Sequence, residues 1–278
     1  MSDLINAVKK AREITSNIFV KSLINLEGNS EVEIREKIFS EIKNHNEIFS
    51  EGWYSPPPLG VTVLLDQKPF KRLAYDSLRN PDFWPKKDLY LEKESVGMIF
   101  FSPVDRKTNM IGDIGFTLYR GDNKEIKEHI KKSYYTILEI AKYAQVGMTF
   151  SELCSFTDNL VKNHFKITRW ITKYSDPRGM NLGHTVPGSY DKIDFGKSFE
   201  EIRSTITKGR IYIKEIENFK IPKTCAFTVE SRLEDLDKQY LPTVYFHFIV
   251  CFDNGEKTIL ENFSNIFKTV EMDYMNIK

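Results

Sequence analysis

The sequence of 278 residues has little cysteine, and its three cysteines are odd in number and far apart. Cys154, Cys225 and Cys251 form no Cys-x-x-Cys pair and no cysteine–histidine pair with zinc-finger spacing. This pattern excludes a disulfide framework and a structural zinc site. We expect three reduced thiols that are mostly buried, as in a protein of the cytoplasm.

The sequence also lacks an excess of charge of either sign. It has 40 Lys and Arg against 39 Asp and Glu, a formal net charge of +1. A nucleic-acid-binding protein needs a basic surface to displace counterions from phosphates, so the composition excludes that class. It equally excludes an acidic solvating tail.

Long hydrophobic runs are missing as well. The longest, residues 246–252, is too short to span a bilayer and contains His247. No charged segment followed by an apolar run opens the sequence, so we expect no signal peptide. With 14 Gly and 11 Pro there is no linker that would separate domains. We therefore predict a soluble, cytoplasmic protein with a single domain over residues 1–278, without membrane or nucleic-acid partners.

Aromatic residues, in contrast, are abundant. They make up 13% of the sequence, with 20 Phe, 13 Tyr and 3 Trp. Aromatic side chains on strands usually belong to a hydrophobic core, and the alternative is that some of them line a pocket; both interpretations stay open at this point.

Periodicity and capping patterns predict two helices followed by strands, and then the same order again. Ser30 with Glu33 and Thr149 with Glu152 have the spacing of a capping box. The predicted helices cover residues 3–26, 30–44, 124–144 and 149–163. The predicted strands cover residues 60–65, 96–101, 111–119, 209–216, 225–233, 243–252 and 256–260. This order predicts an α+β fold with pseudo-twofold character.

Four ionisable residues interrupt apolar strand segments: Asp113, His184, Glu230 and His247. A buried carboxylate needs a cation, a metal or several hydrogen-bond donors. A single residue of this kind is usually structural, but several in strands that share a sheet favour a polar pocket. The residues alone do not define the class of reaction.

Five short motifs resemble, in the same order, those of the M24 peptidases (methionine aminopeptidase, aminopeptidase P and prolidase) and their relative creatinase. They are the aspartate strand at residues 112–118, the helix-joining turn at 145–153, Gly183-His184, the strand at 227–230 and the hairpin at 252–256. The resemblance covers nearly the whole sequence. It implies the pita-bread fold, a curved antiparallel sheet covered by helices, without the N-terminal domain of prolidase and creatinase.

The sequence departs from this family at its metal ligands. The resemblance implies two metals held by two Asp, one His and two Glu, but Ser102 stands eleven residues before Asp113, and Phe246 stands nine before Gly255. No histidine occurs near Trp84, where the family has one on the substrate side. The sequence thus has two carboxylates fewer than the ligand set that the resemblance implies, and this argues against a dinuclear centre. We expect no cofactor, with a single Zn, Mn or Fe left open.

Three functions follow from this resemblance. The first is a metal-independent enzyme, as creatinase is, with His184 as general base and acid and with Glu230 and Asp113 orienting the substrate. It would act on a C–N or amide bond of a small amino-acid-derived or peptidyl molecule, as a hydrolase or lyase of specialised metabolism. The second is a mononuclear metal-dependent hydrolase. The third is a binding module without catalysis, as in a histone-chaperone relative.

Further residues are candidates for the substrate pocket. We predict that Ser102 fills the space of a lost ligand and that Trp84 and Phe246 line the pocket. Arg232, two residues beyond Glu230, is the favoured clamp for a substrate carboxylate. His247 is a weaker candidate, because it is one residue out of register with the expected ligand. Other candidate clamps are Arg106, Arg120, Arg178 and Arg203. The expected partners are a small-molecule or short peptidyl substrate and a second copy of the chain in a homodimer.

Overall fold

The structure is a computed structural model, and it describes residues 2–54, 60–168 and 180–275. Four longer helices occur where the sequence predicts them, and both predicted capping boxes are confirmed. A third capping box, at Ser198 and Glu201, begins a helix that the sequence did not predict. The helices are α1 (Ser2–Ser22), α2 (Glu31–Ile42), α3 (Lys124–Tyr143), α4 (Phe150–Val161), α5 (Phe199–Gly209) and α6 (Ser264–Thr269).

The strands in the described residues form three antiparallel sheets of three strands each. The first contains β1 (Val61–Asp66), β2 (Val96–Phe101) and β3 (Ile114–Tyr119) in that order. The second contains β4 (Phe165–Ile167), β6 (Arg232–Asp235) and β7 (Val244–Tyr245). The third contains β5 (Cys225–Val229), β8 (Phe248–Asp253) and β9 (Glu256–Leu260). The predicted hairpin at Asn254-Gly255 joins β8 to β9.

Three strand predictions need correction. Residues 210–216 form no strand. The alternate residues Ile211 and Ile213 instead hydrogen-bond to the segment 183–185: Thr185 N donates to Ile211 O and Ile213 N donates to Gly183 O, each at 2.9 Å. The predicted strand 225–233 is divided after β5, and 243–252 is divided after β7. Both interruptions fall at residues that the sequence singled out, because their side chains leave the ladder for the interior between the sheets.

The sheets are joined at these interruptions. Phe246 forms an isolated bridge with Phe116 of β3, and His247 N donates to Gly115 O at 2.9 Å. On one side α1 packs against β3, β5 and β8, and α3 packs against β5, β7 and β8. The first half of the molecule has two helices followed by antiparallel strands. The second half repeats this order with α5 inserted after β4 and α6 after β9, and the whole confirms the α+β prediction.

All three cysteines are buried and none forms a disulfide, as predicted. Within the described residues, the helices are all too short or too polar for a membrane span.

Candidate active site

Asp113 lies directly before β3, where α1 crosses the chain. A Cβ on Gly112 would lie 2.3 Å from the backbone nitrogen of Arg12, so only glycine permits this approach of the helix. The Asp113 carboxylate is buried, and its two oxygens accept the indole N–H of Trp53 at 2.9 and 3.1 Å. Burial raises the pKa of Asp113 well above its usual range, and the Trp53 N–H opposes that shift.

Arg12 of α1 is fully buried behind the site. Its guanidinium donates to the backbone carbonyl oxygens of Asp113, His247 and Glu261, the last two at 2.7 Å. Burial lowers the pKa of Arg12 to about 9, while the charge of Asp113 opposes the shift. Arg12, which lies in the first half of the molecule, therefore binds the backbone of one site residue in each half.

Gly183 places His184 against β5. Its φ is +132°, and a Cβ there would lie 2.0 Å from the carbonyl oxygen of Thr228, so no other residue fits. His184 N then donates to Thr228 Oγ1 at 2.9 Å, and Thr228 N donates to His184 O at 2.7 Å. The close crossing fixes the imidazole beside the end of β5, where Glu230 follows.

The tautomer of His184 follows from its own neighbour. Nδ1 lies 2.9 Å from the carbonyl oxygen of Thr185, which can only accept, so Nδ1 carries the hydrogen and Nε2 is left as an acceptor. The backbone carbonyl of Thr185 therefore fixes the tautomer of His184. Burial, followed by the charge of Arg210, holds the pKa of His184 well below its usual range, so the ring is neutral.

Glu230 is the buried centre of the site. Its Oε1 lies 3.6 Å from His184 Nε2, and its Oε2 lies 3.6 Å from His247 Nε2. The hydroxyls of Thr228 and Tyr245 donate to the two oxygens at 3.4 and 3.3 Å. A carboxyl group in this position meets two imidazoles at once, and both are neutral because burial lowers their pKa.

The pKa of Glu230 is raised from 4.5 to about 7. Burial is the main cause, and the positive charge of Arg210 opposes it most strongly, ahead of the bonds from Tyr245 and Thr228. Near neutral pH the group therefore exists in both protonation states, which is the condition for transferring a proton in either direction.

Two arginines bring positive charge into the same pocket. Arg232, as predicted, lies in its wall: Nη1 donates to Tyr75 O at 2.6 Å, and Cζ lies 3.9 Å from the Tyr75 ring centroid. Its buried Nη2 has no hydrogen-bond partner among the described residues. The second, Arg210, was not predicted, and its guanidinium stacks on Trp53 and Tyr212 at 4.6 and 5.1 Å.

Five of the thirteen side chains that line the pocket are Trp, Tyr or Phe. The free cavity measures about 30 Å³, room for one or two water molecules. Asn181 contributes a buried Oδ1 without a hydrogen-bond partner in the described part of the chain. The lining side chains are Trp53, Tyr54, Tyr75, Leu78, Met98, Phe100, Asp113, Asn181, His184, Arg210, Glu230, Arg232 and Tyr245.

The structure thus places four of the predicted residues, Asp113, His184, Glu230 and Arg232, in the lining of one pocket, with the candidate His247 behind Glu230. The register assigned to His247 needs correction. Tyr245 and His247 share the face toward Glu230, and Phe246 points away, into a cluster with Tyr134 at a centroid distance of 5.0 Å. Phe246 therefore does not line the pocket.

Trp84 and Ser102 also lie outside the pocket lining. Trp84 Nε1 donates to Leu78 O at 3.0 Å, one residue layer away from the cavity. Ser102 binds backbone: its Oγ accepts from Tyr54 N at 3.2 Å and donates to Gly60 O at 3.3 Å. It does not fill a ligand space but fixes the chain that carries Trp53 and Tyr54.

The remaining candidate clamps are engaged elsewhere. Arg106 stacks on Phe49, Arg120 pairs with Glu271, and Arg203 pairs with Glu200. Arg178 lies outside the described residues.

The residues present do not fit a dinuclear metal centre. Both oxygens of Asp113 already accept the Trp53 N–H, Ser102 binds backbone, and two arginines share the pocket with the carboxylates. Across residues 2–54, 60–168 and 180–275, no three His, Cys, Asp or Glu side chains are grouped so that they hold an ion. The side chains that could bind a metal here differ from the ligands that the resemblance implies, both in their number and in their total charge.

Comparison with protein-family models gives no match, and comparison with curated proteins gives none either. Solved structures do match. X-Pro aminopeptidase from Thermotoga maritima is 16% identical with a TM-score of 0.61, over 94% of this chain and 61% of that one. Prolidase from Pyrococcus furiosus is 18% identical with a TM-score of 0.60, over 94% and 64%. Aminopeptidase P from Escherichia coli is 12% identical with a TM-score of 0.63, over 99% and 59%.

This chain spans about three fifths of the length of those proteins. At such low identity the likeness concerns the fold, and it confirms the resemblance at that level. The order of helices and antiparallel sheets, together with these matches, shows that the chain has the pita-bread fold of prolidase and aminopeptidase P.

Proposed function

We propose that this protein is a metal-independent enzyme that breaks or rearranges a C–N or amide bond by acid–base chemistry. Its substrate is a small amino-acid-derived or peptidyl molecule that carries a carboxylate. The observation that carries the proposal is the buried pair of His184 and Glu230, 3.6 Å apart, in a pocket with two arginines.

His184 and Glu230 divide the two halves of acid–base catalysis. His184 Nε2 is an acceptor in a neutral ring, so it removes a proton from the attacking or rearranging group. Glu230, with a pKa of about 7, is protonated in part of the molecules at neutral pH, and in these it delivers the proton to the leaving nitrogen. Tyr245, through its hydroxyl bond to Glu230, orients that carboxyl group.

Arg210 and Arg232 supply the binding charge. The Nη2 of Arg232, which has no partner in the described part of the chain, is a buried donor that a substrate carboxylate would satisfy. The Oδ1 of Asn181 is a buried acceptor for an N–H of the same molecule. A small substrate with a carboxylate and a nitrogen-bound hydrogen matches these groups better than a long peptide does, because the cavity is small.

The names of the similar structures, an X-Pro aminopeptidase and a prolidase, favour a C–N bond as the one attacked. Mutation and chelation test the proposal together. Chelator-treated protein is assayed for release of ammonia or amine from amino-acid amides, ureido acids and Xaa-Pro dipeptides. We expect turnover that chelator leaves intact, that His184→Ala lowers at least 100-fold, and that the exposed-histidine control His164→Ala leaves unchanged.

Two results would contradict this function. Turnover that disappears with chelator and returns with Mn²⁺ or Zn²⁺ would support the mononuclear metal enzyme instead. Tight binding of a small ligand without any turnover, unaffected by His184→Ala, would support a binding module.

A further inference from the structure

Trp53 touches three members of the site at once. Its N–H is shared between the two oxygens of Asp113, its ring lies 4.6 Å from the guanidinium carbon of Arg210, and its edge contacts His184 with centroids 5.7 Å apart. The indole is 2% exposed. Trp53 therefore influences which charged or polar group lies next to Asp113, to Arg210 and to His184.

The first neighbour, Asp113, is a buried carboxylate for which the indole is the direct side-chain donor. A buried carboxylate is stable when it meets a metal, a cation or a hydrogen-bond donor. Here a neutral donor spans both oxygens, in the position that a cation bound between them would take.

The second neighbour, Arg210, is held by the face of the same ring. Between Trp53 and Tyr212 its guanidinium has a cation–π contact on each side. The positive charge that a metal would otherwise bring to Glu230 and His184 therefore comes from a side chain of this protein.

Ser102 holds the backbone that carries Trp53. Trp53 N donates to Ser102 O at 3.0 Å, and Tyr54 N donates to Ser102 Oγ at 3.2 Å. By the spacing from Asp113, Ser102 stands where the resemblance places a metal-binding aspartate. The residue that stands in place of that ligand is thus the same residue that holds the backbone of Trp53 and so positions the indole.

We propose that Trp53 takes the place of a divalent cation at Asp113 and seats Arg210, and that it thereby determines that this pocket works without a metal. The inference rests on the metal-independent function proposed above and names the residue that enforces it.

Metal binding by variants tests this inference without an activity assay. We would titrate the protein with Mn²⁺ and with Zn²⁺ in calorimetry and compare wild type, Trp53→Phe and the double variant Trp53→Phe/Arg210→Met. Trp84→Phe is the matched control, because its indole N–H also donates one hydrogen bond, but outside the site. We expect the affinity for metal to rise at least tenfold in at least one of the two Trp53 variants and to stay unchanged in Trp84→Phe. Adding Asp113→Asn should abolish the gain.

Unchanged affinity in both Trp53 variants would overturn the inference and leave the proposed function standing. Stoichiometric binding by the wild type that Asp113→Asn abolishes would overturn the metal-independent function as well. If the Trp53 variants do not fold, the indole N–H resonances of wild type decide. Selective broadening of the Trp53 signal by Mn²⁺, with the Trp84 signal unaffected, would overturn the inference, and equal insensitivity of both would support it.

Discussion

Tyr245 and Phe246 are neighbours in sequence, but their rings enter two aromatic clusters of different character. Phe246 belongs to a rear cluster in which ring packs on ring, with centroid distances of 5.0 to 6.1 Å. The members of the rear cluster are Tyr134, Phe246, Phe248, Phe263 and Phe267. Tyr245 belongs to a pocket cluster in which rings contact charged groups. The members of the pocket cluster are Trp53, Tyr75, Tyr212 and Tyr245, and Tyr54 packs edge to face with Trp53.

Both clusters consist of aromatic side chains, but these side chains have a different role in each cluster. In the rear cluster the rings contribute buried apolar area and therefore stability. In the pocket cluster they exclude water from Asp113, His184 and Glu230, and that exclusion is the main cause of the shifted pKa values there. Substitutions in the rear should thus change folding, and substitutions in the pocket should change titration.

The largest expected effect is in the rear cluster. Phe246 is fully buried, and Phe246→Ala should cost about 3–5 kcal/mol of unfolding free energy, because it removes buried area and leaves a cavity. Urea denaturation of the variant and the wild type measures this loss. A loss below about 1 kcal/mol would mean that the rear cluster is not a tightly packed core.

The next effect concerns Glu230 and pH. The raised pKa means that the folded protein retains a proton that the unfolded chain loses, so stability falls as pH rises between the two pKa values, 4.5 and about 7. Glu230→Gln should remove this dependence, which amounts to about 3 kcal/mol. Below pH 4.5 and above pH 7 the difference in stability between wild type and variant should be constant; a difference that stays constant throughout would contradict the raised pKa.

The smallest effect is expected for Tyr245→Phe. It removes one hydroxyl bond to Glu230 and should change stability by about 1 kcal/mol or less. Because that bond favours the ionised carboxylate, its loss should raise the pKa of Glu230 further. Carboxyl ¹³C NMR would follow the titration, with Tyr274→Phe as a control, since its hydroxyl donates to Tyr119 O. A lowered pKa in Tyr245→Phe would contradict the assigned bond.

Much of the fold could be predicted from local sequence. The capping boxes at Ser30 and Thr149 are complete within four residues each, and the strands up to Tyr119 follow from apolar, β-branched segments. The interruptions at Glu230 and His247 could not be placed, because they depend on contacts between sheets that are distant in sequence.

The site shows the same limit. Asp113, His184 and Glu230 stood out because each interrupts an apolar segment. Arg210 follows a helix that was not predicted, and within the strand predicted over residues 209–216 it was not singled out. Trp53 gave no signal of its own, since an indole beside other aromatic residues is typical of a core; only its distance to Asp113 reveals its part.

Arg12 connects the carbonyl groups of Asp113 and His247, residues 101 and 235 positions further along the chain. Neither half of the molecule can therefore complete the pocket without the other. During folding the pocket should be among the last features to form, because its geometry requires the most distant contacts to be in place.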